Sequence, residues 1–261
     1  MKTTDILKAK KHLGQHFLTN EATIDNIVAL IKEKCPKDMP ILEVGPGQGV
    51  LTFRLDKHFT HFKASEFDRD MIRILTQQMD EEKIIKGDFL KLDLKNIFDG
   101  QPFALVGNFP YNISSQIIFK MLENLDYIPI MIGMFQKEVA ERICSNKKGK
   151  QNGILSLNAQ AYYETNKMFD IPPEAFSPPP KVNSSIIYLN RLEDYTLKCD
   201  AKLYSKVIKL VFQQRRKKLR NTLKPLLEDT SDELFHMRPE QLSVEDFVNI
   251  ANRIEEQNKK K

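Results

Sequence analysis

Apolar positions recur in two rhythms along most of this chain and in a single rhythm toward its end. After Asn20, whose side chain suits a helix N-cap, Ile24, Ile27, Val28 and Ile31 follow at helical spacing. Pro36 and Pro40 bracket a turn. Short apolar runs then predict strands over 41–44, 62–66, 83–88, 103–108 and 129–135. Helical patterns fill gaps between them, over 68–79 and 115–122, and a further helix is predicted over 154–163. Strands alternating with helices imply βαβ units, so the fold class is α/β with a mostly parallel sheet. Five prolines within 172–180 make a stiff loop before a β-rich run at 184–189. From about Leu192 only helical spacing remains, which puts a domain boundary there: 1–191, then a small helical domain at 192–261. No internal repeat is visible.

The length of 261 residues lets such a fold bury a core without disulfide or metal staples. With 41% apolar and 29% charged residues, disordered and fibrous classes are excluded. Cys35, Cys144 and Cys199 form no close pair, so no CxxC metal or redox motif exists; no metal is expected, and a reducing compartment is. The longest apolar run, 128–135, is too short and too interrupted to span a bilayer. The first 14 residues are polar and lysine-bearing, and the first arginine is Arg54, so neither a secretory nor an Arg-rich organelle signal is read and the cytoplasm is expected.

The net charge of +5 hides a sharp asymmetry. Lys206, Lys209, Arg215, Arg216, Lys217, Lys218, Arg220 and Lys224 fall within 205–224, where there is no acid. A smaller surplus, Lys2, Lys8, Lys10 and Lys11 against Asp5, opens the chain. A solvated helix face usually interleaves acids as i,i+4 partners, and here none is present. A polyanion that neutralises the run is the better reading.

Candidate chemistry clusters at the ends of the predicted strands. Glu43-Val-Gly45-Pro-Gly47-Gln-Gly49 follows the first strand. Glycines there let the backbone turn tightly and approach a ligand, but the spacing is GxGxG rather than GxGxxG, and a proline inside it weakens a pyrophosphate cradle. Glu66 ends the second strand, placed to accept ribose hydroxyls. Asp88, beside Phe89, ends the third, placed to accept from an adenine amine while the ring packs on the base. Asn108 ends the fourth. One acid after a strand is ordinarily a helix cap, whereas Gly45, Glu66, Asp88 and Asn108 in register form a rim that suits adenosine. S-adenosylmethionine fits, because its sulfonium needs no phosphate cradle. In Asn108-Phe109-Pro110-Tyr111, an Asn oxygen and the Pro110 carbonyl can each accept one N–H of an adenine amine and aim its lone pair at a methyl donor. Tyr111 can stack on the unstacked base.

The chain resembles the 16S ribosomal RNA adenine dimethyltransferases (KsgA/RsmA), within the rRNA adenine N6-methyltransferase group. The resemblance runs nearly end to end. It is carried by Leu13-Gly-Gln-His-Phe-Leu18, Glu43 to Gly49, Glu66-Phe-Asp68, Gly87-Asp88, Asn108-Phe-Pro-Tyr-Asn-Ile-Ser114 and Gln136-Lys-Glu-Val139. Ala175-Phe-Ser-Pro-Pro-Pro-Lys-Val182, Gln214-Arg-Arg-Lys-Lys-Leu-Arg-Asn221 and Arg238-Pro-Glu-Gln-Leu-Ser243 with Phe247 continue it. It implies a Rossmann-like class I methyltransferase domain followed by a small all-helical rRNA-binding domain. It also implies S-adenosylmethionine contacts from His16 and Leu18 beside Gly45, Gly47, Glu66, Asp88, Phe89 and Asn108, and Phe176 facing Tyr111 across the target base. Lys181, Arg215, Arg216, Lys217, Lys218 and Arg220 would meet rRNA phosphates. The implied reaction dimethylates two adjacent adenosines near the 3′ end of 16S rRNA in a precursor small subunit, by a monomer. Phe109 stands where leucine is commoner, and His16 where asparagine is also frequent. Other readings at this level are an erythromycin-resistance-type 23S rRNA methyltransferase, a non-catalytic assembly factor, and a nicotinamide-dependent oxidoreductase on a similar fold.

Overall fold

A computed structural model describes residues 9–10, 13–145 and 152–259. Lys2, Lys8 and Lys11 of the N-terminal basic surplus lie outside the described residues. In chain order come β1 (Phe17–Leu18), α1 (Glu21–Lys34), β2 (Ile41–Val44), α2 (Thr52–Asp56), β3 (Phe62–Glu66) and α3 (Arg69–Leu75). Then follow β4 (Ile84–Lys86), β5 (Ala104–Gly107), α4 (Ser114–Leu122), β6 (Ile130–Gln136), α5 (Lys137–Ile143) and α6 (Ile154–Gln160). The chain goes on through β7 (Tyr163–Ile171), β8 (Phe176–Ser177), β9 (Ser184–Arg191), α7 (Ala201–Phe212), α8 (Leu219–Leu223) and α9 (Val244–Lys259).

Seven strands form one sheet in the order β4-β3-β2-β5-β6-β9-β7. The pairs β2–β3, β3–β4, β2–β5 and β5–β6 are parallel, and β9 runs antiparallel to β6. From β2 the chain winds outward through β3 to β4, then crosses back to β5 on the other side of β2. The strand order therefore switches direction between β2 and β5, where open α/β sheets leave a crevice at the strands' carboxyl ends. β2 and β5 are buried at every position, which explains why they are apolar throughout except for Glu43. Ile24, Ile27, Val28 and Ile31 of α1 pack against Ile41, Ala64, Val106 and Ile132 of the sheet in one core. Asn20 caps α1 as expected, its Oδ1 accepting from Thr23 N at 2.9 Å.

The chain separates into two compact units, 1–140 with 166–190 and 141–165 with 191–261. One break, between 190 and 191, lies a residue from the one expected between 191 and 192; what the expectation lacked is that 141–165 groups with the C-terminal helices. The second unit has its own core, in which Leu157 of α6 joins Tyr204, Val207 and Val211 of α7 and Phe247 and Ile250 of α9. Tyr204 Oη donates to the Leu157 carbonyl at 2.9 Å, and Asn152 Nδ2 to the Leu242 carbonyl at 2.9 Å. Two element expectations also change. The helix expected over 68–79 stops at Leu75, where Gln78 N–H turns to the Leu75 carbonyl in tighter i→i−3 bonding. The helix expected over 154–163 ends at Gln160, and Tyr163 opens β7. Among the described residues no helix is long and apolar enough to cross a membrane.

Candidate active site

A cavity of about 290 Å³ opens at the carboxyl ends of β2, β3, β4 and β5, within the first unit. Its size is at the lower end of small-molecule sites. Two short stretches close over it: the turn after β2 and the residues leading into β1. Gly45 and Gly47 have φ of +71° and +56°, a left-handed backbone that a side chain would strain. A Cβ on Gly47 would also lie 3.1 Å from the Phe17 ring, so a side chain here would crowd the 13–18 segment.

Three carboxylates line the cavity. Glu66, at the end of β3, is buried, and its Oε1 accepts from Phe67 N and Asp68 N, each at 2.8 Å. Its Oε2 accepts from Gly47 N at 3.1 Å. Burial pushes this carboxyl up, against three N–H donors that hold it down. Those donors fill most of its acceptor capacity, so Glu66 can take a ligand hydroxyl on Oε2 but not a second one without giving up a backbone partner. Asp88, after β4, caps a short turn by accepting from Leu90 N at 3.0 Å, and it borders the cavity with Phe89. Glu43, in the middle of β2, is 1% exposed and lines the cavity, and its Oε2 has no hydrogen-bond partner. Burial, with Glu66 nearby, pushes it up to about 8.

The 108–111 loop follows β5 and borders the same cavity. Asn108 Nδ2 donates to the His16 carbonyl at 2.9 Å. Pro110 O accepts from Ile113 N at 3.1 Å, which leaves one lone pair of that carbonyl. Tyr111 Oη lies 2.5 Å from Ser184 Oγ, and Ser184 is fully buried at the start of β9. Burial raises the Tyr111 phenol, with the Ser184 contact acting the other way. His16 and Leu18 also line the cavity, and the His16 ring sits 5.5 Å from the Tyr111 ring at 31°.

Phe176 is placed otherwise than expected. It is 4% exposed, pairs with Leu18 across the β1–β8 ladder, and belongs to the hydrophobic core rather than to the cavity lining. The ring beside Tyr111 is that of His16, because the 13–18 segment lies over the 108–111 loop while Phe176 turns inward. Lys181 is exposed in the first unit. In the second unit Arg215, Arg216, Lys217 and Lys218 are exposed in the turn between α7 and α8, with Arg220 exposed one residue into α8.

Sequence reasoning missed Glu43, Gln15, Phe67, Asp68 and Ser184. The signal for Glu43 was a single carboxylate inside an otherwise apolar strand. Phe67, 61% exposed at the cavity wall, could have been found as an aromatic directly after a rim acid. For Ser184, buried contact alone reveals it. Among the described residues no cluster of His, Cys, Asp and Glu is arranged to hold a metal.

The profile of the family described as "Ribosomal RNA adenine dimethylase" matches residues 6–256. The chain belongs to that family. It is 48% identical to "Ribosomal RNA small subunit methyltransferase A" of Bacteroides fragilis, over 96% of this chain and 94% of the relative. A protein of the same name in Flavobacterium johnsoniae is 48% identical over 95% and 97% of the two chains. Among solved structures, a dimethyladenosine transferase from Plasmodium falciparum superposes with a TM-score of 0.78 at 24% identity, covering 93% of this chain and 98% of that one. The 23S rRNA methyltransferase ErmE superposes at 0.65 with 25% identity, covering 90% and 99%. Family and fold together make this chain a Rossmann-like class I, S-adenosylmethionine-dependent rRNA adenine methyltransferase. The cavity suits that cofactor chemically: glycines admit close approach at 45 and 47, the Glu66 and Asp88 carboxylates match hydroxyl donors and positive charge, and the buried Glu43 Oε2 is a polar atom without a partner.

Proposed function

We propose that this protein dimethylates two adjacent adenosines in a hairpin loop near the 3′ end of 16S rRNA, acting as a cytoplasmic monomer on a precursor small subunit. The observation that carries the reading is that the 108–111 loop borders the same cavity as Gly45, Glu66 and Asp88. The residues read as holding the cofactor and those read as clamping the base thus border one cavity. Bound S-adenosylmethionine would supply an electrophilic methyl on its sulfonium. Gly45, Gly47, Glu66, Asp88 and Phe89 would hold it, with His16 and Leu18 above.

The adenine amine is a poor nucleophile because its lone pair is delocalised into the ring. Asn108 Oδ1 and the spare lone pair of Pro110 O would each accept one N–H. That draws the nitrogen toward tetrahedral geometry and stabilises the positive charge it gains, by orientation and fixed dipoles rather than by a general base. Tyr111, tethered by Ser184, offers a ring face for the unstacked base. The His16 ring lies too close to Tyr111 for a base to fit between them, since two stacking distances come to about 7 Å, so the base displaces it or enters beside it. Lys181 and the basic residues from Arg215 to Arg220 would take rRNA phosphates.

The test is mass mapping of both ribosomal RNAs from cells lacking the gene. Expected is loss of two adjacent dimethyladenosines from small-subunit rRNA, restored by the wild-type gene. Loss from large-subunit rRNA instead would favour the erythromycin-resistance-type reading. Unchanged modification of both would leave only a binding role.

A further inference from the structure

Asn108 can accept from an adenine amine only if its amide oxygen, not its nitrogen, faces the cavity, and the two ends of an amide differ little in shape. What decides is the neighbour on the other side. The His16 carbonyl has lone pairs and no proton, so it takes the Asn108 nitrogen as a donor at 2.9 Å and leaves Oδ1 for the cavity. The orientation of Asn108 thus depends on where the main chain of residue 16 lies.

That main chain is pinned next door. Gln15 Nε2 donates to Asp68 Oδ2 at 2.8 Å, and Gln15 Oε1 accepts from Lys10 N at 2.8 Å. Lys10 Nζ reaches Asp68 Oδ1 at 2.5 Å and Asp70 Oδ2 at 2.7 Å. Asp68 is itself a fixed point: it is 3% exposed and caps α3 through Asp70 N at 3.0 Å. Burial would raise its carboxyl, but the Lys10 and Gln15 hydrogen bonds outweigh that and hold it below its ordinary value, so it stays a charged acceptor. On the far side of residue 16, His16 Nδ1 meets the Pro178 carbonyl at 2.8 Å.

We propose that Gln15, anchored on Asp68, is a positioning residue for methyl transfer: it sets the His16 carbonyl, which turns the Asn108 oxygen toward the reacting amine. This rests on the assignment of Asn108 given under Proposed function. A segment that merely covered the cavity would affect cofactor retention alone. One that orients Asn108 also affects the chemical step.

The experiment uses the full chain with Gln15→Ala, Gln15→Met (which keeps the length and removes the amide), Asn108→Ala and Gln15→Ala/Asn108→Ala. The first readout needs neither cofactor nor RNA: exchange of the Asn108 side-chain amide protons by NMR in Asn-labelled protein, assigned by the signal missing from Asn108→Ala. Both Gln15 variants should speed that exchange about tenfold and lower kcat at saturating cofactor by about tenfold. In the Asn108→Ala background Gln15→Ala should cost nothing further, because the group it positions is gone. Unchanged exchange, a defect confined to cofactor Kd with kcat intact, full activity of Gln15→Met, or an equal fold-loss in both backgrounds would each overturn the inference. If Asn108→Ala itself leaves kcat unchanged, the assignment of Asn108 falls and this inference with it; a low kcat for Asn108→Ala without coupling to Gln15 sinks the inference alone.

Discussion

Glu43 keeps its proton in a place where an ordinary carboxyl would not. Its strand is buried at all four positions and one of its oxygens finds no donor. Burial moves it from 4.5 to about 8. The unfolded chain ionises this group from about pH 4.5 upward while the folded chain holds the proton until about pH 8. Folded stability contributed here is therefore fully present below the lower value and lost as pH rises through the window. Glu43→Gln should accordingly gain on the wild type as pH rises, by roughly 2 kcal/mol or more at pH 8. Urea unfolding of both proteins between pH 5 and 8.5 checks it, and a pH-independent offset would contradict it. At this scale the sequence was readable wherever a residue type already states its chemistry at a strand end, as at Glu66, Asp88 and Asn108. It was opaque where burial makes the chemistry, as at Glu43. Asp88 shows a third case: helix cap and cavity residue seemed alternatives, yet one oxygen caps Leu90 while the residue lines the cavity.

Between elements, the loop after β5 packs closely on β6. A Cβ on Gly133 would come within 2.2 Å of the Phe109 ring, which also meets the Phe135 ring edge-on at 5.5 Å. Gly133 thus makes room for the Phe109 ring. Gly133→Ala should destabilise the protein by about 1–3 kcal/mol, because the buried ring has nowhere to turn. Adding Phe109→Leu should recover part of the loss, and thermal denaturation of the two variants decides. No recovery would mean that the clash is resolved in the strands instead. The five strands of the βαβ pattern were legible because each is a dense apolar run between turns. β7 was not: only Tyr163, Thr165, Phe169 and Ile171 mark its alternation, on a strand at the end of the sheet order whose other positions are largely exposed. The β1–β8 pair has two residues per strand, too few for any periodicity, and it was β8 that drew Phe176 inward.

For the whole molecule, charge and fold are divided between the two units. The cavity and its acids belong to the first, and the exposed run from Arg215 to Arg220 to the second. Replacing Arg215, Arg216, Lys217 and Lys218 by Ala should weaken binding to small-subunit particles and flatten its dependence on salt by about three units of log–log slope. Filter binding at several salt concentrations measures it, and an unaltered slope would place the phosphates elsewhere. The basic run was legible because charge needs no fold to be counted. The grouping of residues 141 to 165 was not, since they look like an ordinary continuation until Leu157 is seen beside Tyr204 and Phe247. That non-contiguous build has a practical consequence. A fragment ending at residue 191 would keep α6 but strip away the helices that shield Leu157, so its failure in an assay would report a bared apolar surface as much as missing RNA contacts. Charge-swapped full-length proteins, rather than deletions, are the way to dissect the two halves.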